Sequence, residues 1–139
     1  MIFFKRGKQK VLKKPKQWKI RRQCLELILE AAKSNHPREF GGLLRVEPKK
    51  KNIIYELVLL PGTISGDSHA IFKLHMLPVD FTVIGTVHSH PSPSCFPSEA
   101  DRVLFQKFGS IHIIVAEPYN NNSWKAYNKN GEEINIDTI

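Results

Sequence analysis

The feature that most constrains this chain is a helical period over Trp18 to Ser34 whose apolar face is too broad to leave in water. Ile20, Cys24, Leu27, Ile28 and Ala31 recur at spacings of three and four, and Leu25, Leu29 and Ala32 widen the stripe. Arg22, Glu26, Glu30 and Lys33 form the opposite, polar face. Such a helix must pack on something, and the segments that follow offer a sheet. Asn35, His36 and Pro37 supply its stop.

Glu39-Phe40-Gly41-Gly42-Leu43-Leu44 reads as a strand entered through a flexible turn. Asn52 to Leu60 is a strong strand ended by Pro61-Gly62, and Lys49-Lys50-Lys51 before it is a hairpin tip. Ala70 to Leu74 is a weaker third strand. Thr82 to Val87 is a fourth, continuing into His88-Ser89-His90. A short helix is expected from Ser98 to Phe108, and a buried-type strand from Ile111 to Ala116. Trp124 to Tyr127 and Glu133 to Ile136, separated by Asn130-Gly131, read as a closing hairpin. This order predicts an α+β fold: a single domain with a mostly antiparallel or mixed β-sheet flanked by helices. The chain has 139 residues, 41% of them hydrophobic, enough for one core and too few for two ordinary domains.

The formal charge of +8 is unevenly placed. Residues 1–22 hold ten bases and no acid, which leaves eleven bases against thirteen acids in the remainder. Residues 1–17 are therefore read as a basic, flexible N-terminal arm and residues 18–139 as the folded domain. A solvated tail is the favoured reading of the arm over one that grips nucleic acid or an acidic partner. Apolar runs are too short to span a membrane, and Met1-Ile2-Phe3-Phe4 is too short for a signal-peptide core. A soluble, cytoplasmic protein is expected. Cys24 and Cys95 make no disulfide scaffold; a single bridge between them stays open.

Chemistry concentrates in His88-Ser89-His90-Pro91-Ser92-Pro93-Ser94-Cys95-Phe96-Pro97-Ser98-Glu99-Ala100-Asp101. Residues two apart in a strand point the same way, about 6–7 Å apart, so His88 and His90 can address one ion. The core-type run Val83–Val87 makes their base rigid, and Pro91 ends the strand. Pro91, Pro93 and Pro97 stiffen the crossing to the next helix. Asp101 falls in that helix's first turn, where the positive helix end and a nearby cation both favour its ionised form. Two imidazoles, one carboxylate and a vacant position fit a catalytic zinc site better than a structural one. Zinc so held lowers the pKa of its water to about 7. The site still needs a base and an oxyanion donor. Each residue also has a plainer reading: strand histidines are commonly structural, Ser98-x-x-Asp101 can be a capping box alone, and Glu39 can be an ordinary loop carboxylate. Cys95 is read as a partly buried thiol rather than a fourth ligand. His36, His69, His75 and His112 lack ligand-like spacing and are read as structural.

The run His88-Ser89-His90, seven residues, Ser98, two residues, Asp101, with Glu39 upstream in Pro37-Arg38-Glu39-Phe40-Gly41-Gly42, resembles the motif of the JAMM (MPN+) metalloproteases. The likeness covers roughly residues 18–128 and is closest to the minimal prokaryotic and archaeal members. It implies a JAMM/MPN, cytidine-deaminase-like fold and one Zn2+ ion held by His88, His90 and Asp101, with a bound catalytic water. It implies Glu39 as the proton-transferring base and Ser98 as donor to the oxyanion, its hydroxyl turned toward the metal at the helix start. The implied substrate is a ubiquitin-like modifier or a sulfur-carrier protein, cut at the (iso)peptide bond after its C-terminal tail. The tail is expected to add as a strand along a sheet edge flanking the site. Nucleic acid and membrane are not expected partners. The alternatives are a non-catalytic MPN scaffold or binding module, which the presence of all five positions disfavours, and a nucleic-acid-associated RadC-like protein.

Overall fold

In the computed structural model, residues 17–59 and 80–139 are described. The strand expected over Ala70–Leu74, the Pro61-Gly62 stop, His69, His75 and residues 1–16 of the basic arm lie outside the described residues.

The expected first helix divides in two. Lys19–Ile20 is a short strand, β1, and the helix α1 spans Arg22–Asn35. Trp18 and Ile20 are buried because β1 pairs in parallel with the later strand β3 (Lys50–Val58), with Lys19 opposite Ile53 and Ile20 opposite Ile54. The Arg21 side chain makes no cap, and the first turn of α1 has no acid. Backbone groups hold the helix start instead: Arg21 N–H donates to the Ile54 carbonyl and Arg22 N–H to Ile139, both at 2.8 Å. The buried stripe of α1 is Cys24, Leu25, Ile28, Leu29 and Ala32. Leu27, expected on that face, is 55% exposed. The helix settles on the Leu25–Leu29 side because those side chains complete the core cluster with Phe40, Leu44, Val46 and Ile54.

After α1 come β2 (Gly41–Glu47), β3, β4 (Val83–His90), α2 (Glu99–Lys107), β5 (Ile111–Ala116), β6 (Trp124–Asn128), β7 (Glu133–Ile134) and β8 (Asp137–Thr138). They form one mixed sheet in the order β7-β6-β5-β4-β2-β3-β1-β8. The pairs β2/β3, β2/β4, β5/β6 and β6/β7 are antiparallel, while β4/β5, β1/β3 and β1/β8 are parallel. The β4/β5 parallel pair follows from the helical crossover: β4 runs out through the proline loop, α2 returns the chain, and β5 re-enters in the same direction. Gly85 lets the two strands close up, since a Cβ there would lie 1.6 Å from the Ile111 carbonyl oxygen.

The alternation of β5 separates two layers of core. Ile111, Ile113 and Val115 join the α1 side, with Val87 of β4. Ile114 and Ala116 face the α2 side, packed with Phe105, Tyr127 and Cys95. Since β4 alternates in register with β5, Val87 faces α1 whereas Thr86, His88 and His90 face α2. Cys24 and Cys95 are both free and buried, so no bridge forms. Among the described residues no helix is long and apolar enough to cross a membrane.

Candidate metal centre

His88 and His90 sit at the last turns of pleat on β4, the central strand, with β2 and β5 on either side. Pro91 then breaks the ladder, and Ser98 begins α2 with an N-terminal capping box. Ser98 Oγ accepts from the Asp101 N–H at 3.1 Å, and Asp101 Oδ2 accepts from the Ser98 N–H at 2.9 Å. The box fixes the carboxylate of Asp101 at the mouth of the helix, facing the imidazoles.

Three ligand-type groups converge there. His88 Nε2 lies 3.2 Å from His90 Nε2 and 3.1 Å from Asp101 Oδ1, and His90 Nε2 lies 3.2 Å from Asp101 Oδ2. His88 is buried; His90 and Asp101 are half-buried. Among the described residues this is the one group of three or more side chains able to hold a metal ion. His90 Nδ1 lies 2.9 Å from the Ser94 carbonyl, which can only accept, so Nδ1 donates there and Nε2, which faces Asp101 and His88, is the nitrogen left to address a cation. A tetrahedral cation with bonds of about 2.0–2.1 Å has ligand–ligand edges of about 3.3–3.4 Å. The observed separations fit that edge closely. Convergence of two imidazole nitrogens and a carboxylate in a half-buried corner is what a cation would relieve.

The electrostatics agree. Burial alone would push the Asp101 carboxyl up, but hydrogen bonds from His88 and His90 outweigh it and hold the group well below the usual carboxylate range. The hydrogen bond to Asp101 raises the His90 proton affinity against the effect of burial, and the charge of Glu39 contributes. Glu39 is therefore within electrostatic reach of His90. It is exposed and precedes β2 rather than opening it, as the sequence had suggested. Its neighbour Phe40 is buried and bonded to β4 through Ser89.

Ser98 adopts the capping role, and its oxygen is turned to the helix rather than simply toward the metal. The hydroxyl oxygen accepts from the Asp101 N–H, and neither capping bond uses the hydroxyl's own proton. Cys95 is buried, its thiol pushed up by burial, and lies outside the ligand group. His112 is fully buried against Phe105, and His36 bonds to Tyr119, so neither joins the cluster. The contributions of Ser89, Ser94 and Tyr119 had no sequence signal beyond the odd-numbered place of Ser89 between two histidines. β4 is paired on both sides, so an added substrate strand has no seat on the ligand strand itself. Among the described strands β7 and β8 stand at the two ends of the sheet.

The single mixed sheet with two helices is the fold of the JAMM/MPN proteins. The chain is 46% identical, with a TM-score of 0.70, to a solved structure described as JAMM, a metalloprotease-like zinc site in the proteasome and signalosome; the match covers 88% of this chain and 98% of that one. It is 48% identical, again with a TM-score of 0.70, to a JAB1/MPN domain protein from Archaeoglobus fulgidus, covering 87% of this chain and 98% of the other. A relative from Haloferax volcanii described as a "probable metalloprotease" is 33% identical over 123 residues, 84% of this chain and 76% of its own. Residues 21–127 match the Prok-JAB family, prokaryotic homologs of the JAB domain, and the chain belongs to that family.

Proposed function

We propose that the protein is a zinc metallopeptidase that hydrolyses the (iso)peptide bond following the C-terminal tail of a ubiquitin-like or sulfur-carrier protein. The observation that carries this reading is the convergence of three ligand-type groups, with the two Nε2 atoms 3.2 Å apart and each within 3.1–3.2 Å of one Asp101 oxygen, and the Glu39 carboxylate in electrostatic reach. Family membership supports the class of reaction.

His88 Nε2, His90 Nε2 and the Asp101 carboxylate would hold the ion. Bound there, zinc supplies a water acidified to about pKa 7 and polarises the scissile carbonyl. Glu39 accepts the proton that the attacking water releases. It returns that proton to the leaving amine as the C–N bond breaks. The hydroxyl proton of Ser98, which neither capping bond uses, would be donated to the developing oxyanion, which carries charge only in the transition state. Ser94 keeps His90 in the ligating tautomer through its carbonyl. The loop 92–96 that does this also walls an open cleft of about 710 Å3, shared with Glu117, Asn122 and Lys125.

The test is purified protein assayed for metal content and for cleavage of a lysine-linked ubiquitin-like conjugate and a C-terminally extended sulfur carrier. Activity should vanish with a strong chelator and return with zinc. Glu39→Ala should keep its zinc and lose turnover by about 10³-fold or more. A zinc-free protein that cleaves either substrate, or full activity in Glu39→Ala, would refute the reading.

A further inference from the structure

Tyr119 belongs to none of the motifs above, yet it sits at the junction of two of them. It is 4% exposed and has φ 60°, a left-handed conformation that bulky side chains avoid. That conformation, on the turn after β5, puts its hydroxyl 3.1 Å from the carbonyl oxygen of His90 and 2.9 Å from His36 Nδ1. A phenol has one proton, and the carbonyl can only accept it. The His36 contact is then an Nδ1–H donating to the Tyr119 oxygen. The ring of His36 also meets the Tyr119 ring edge-on, with centroids 5.6 Å apart.

His36 is the residue at which α1 ends, and Glu39 follows three positions later. On the other side of Glu39, Phe40 is locked to Ser89: Phe40 N–H donates to Ser89 Oγ and Ser89 N–H donates to the Phe40 carbonyl, both at 2.8 Å. Ser89 is fully buried. The segment 36–40 is thus fastened at both ends to the last residues of β4, the residues that carry the imidazoles. Among the described residues no hydrogen bond or ion pair holds the Glu39 carboxylate, so its aim comes from its backbone.

We propose that Tyr119 is a positioning residue: through its hydroxyl, acting with Ser89, it sets the distance between the Glu39 loop and the His90 end of the ligand strand. This rests on Glu39 being the base. A small error in the place of a proton acceptor costs turnover steeply, whereas ground-state binding of substrate need not change.

The experiment uses the zinc-loaded full chain, whichever of the two substrates above is cleaved, and Tyr119→Phe, which keeps the ring and removes only the hydroxyl. Tyr119→Phe should lower kcat about tenfold and leave KM within about twofold, with zinc content unchanged. Amide exchange at Phe40 should accelerate several-fold. In a Glu39→Gln background, adding Tyr119→Phe should change residual turnover by less than about twofold, because the group it positions is gone. An unchanged kcat in Tyr119→Phe alongside an inactive Glu39→Gln overturns the positioning role and leaves the base intact. An equal loss in both backgrounds also overturns it. If Glu39→Gln cleaves at the full rate, the base assignment fails, and unaltered Phe40 exchange in Tyr119→Phe then overturns the tether.

Discussion

The buried His112 should make the fold sensitive to mild acid. It is fully buried on β5, its Nδ1 is 2.7 Å from Thr86 Oγ1, and its ring stacks on Phe105 at 4.3 Å between centroids and 16° between planes. Burial pushes it down from 6.5 to about 4, with the nearby His88 adding to the effect and the carbonyls of Gly109 and Phe105 opposing it. Between about 6.5 and about 4 the unfolded chain binds this proton and the folded chain does not. Stability therefore rises with pH through that window and is lost as pH falls. At about 1.36 kcal/mol per pH unit, the full loss approaches 3 kcal/mol near pH 4, and about 2 kcal/mol is gone by about pH 5. His112→Leu nearly keeps the volume, gives up the ring stack on Phe105 and cannot titrate. Loss of the Thr86 bond shifts its stability by a constant amount at every pH. The measurement is urea unfolding with chelator present, so that metal binding adds no pH dependence of its own. Between about pH 7 and about pH 5, wild type should lose about 2 kcal/mol more than His112→Leu. Parallel losses would refute the buried, neutral assignment.

Ser98→Ala should cost about 1 kcal/mol in urea unfolding from the lost cap, and turnover should fall about 10²-fold from the lost oxyanion donor; unchanged turnover would leave Ser98 a helix cap alone. Asp101→Asn retains an oxygen able to accept the Ser98 N–H, so helix content by circular dichroism should hold, while zinc content falls by more than about tenfold for want of the charge. Full zinc occupancy in that variant would remove Asp101 from the ligand set.

Much of the site was legible because its spacing is a property of one strand and one helix start. His88 and His90 share a face by the two-residue period, and Ser98 and Asp101 share a first turn by capping chemistry. The strand Ile111–Ala116 coincides with its run of buried-type residues. Boundaries failed where tertiary pairing competed with helical period. Lys19–Ile20 left the predicted helix because β3 offered its backbone a ladder, and Leu27 lost its place in the core to Leu25 and Leu29.

The sequence by itself determined the residue types of the candidate corner, their order, and the rigid strand, stiff loop and capped turn that carry them, since these depend on contacts only a few residues apart. The closing of the corner depended on contacts that no local pattern encodes. Register between β4 and β5 put the imidazoles on the face covered by α2, and packing of Leu104 and Phe105 brought Asp101 to within 3.1–3.2 Å of both rings. Tyr119, 83 residues from His36 and 29 from His90, reached both only through the fold. Its left-handed backbone is held there by long-range bonds, and distances of that kind are decided by the whole packed chain rather than by any stretch of it.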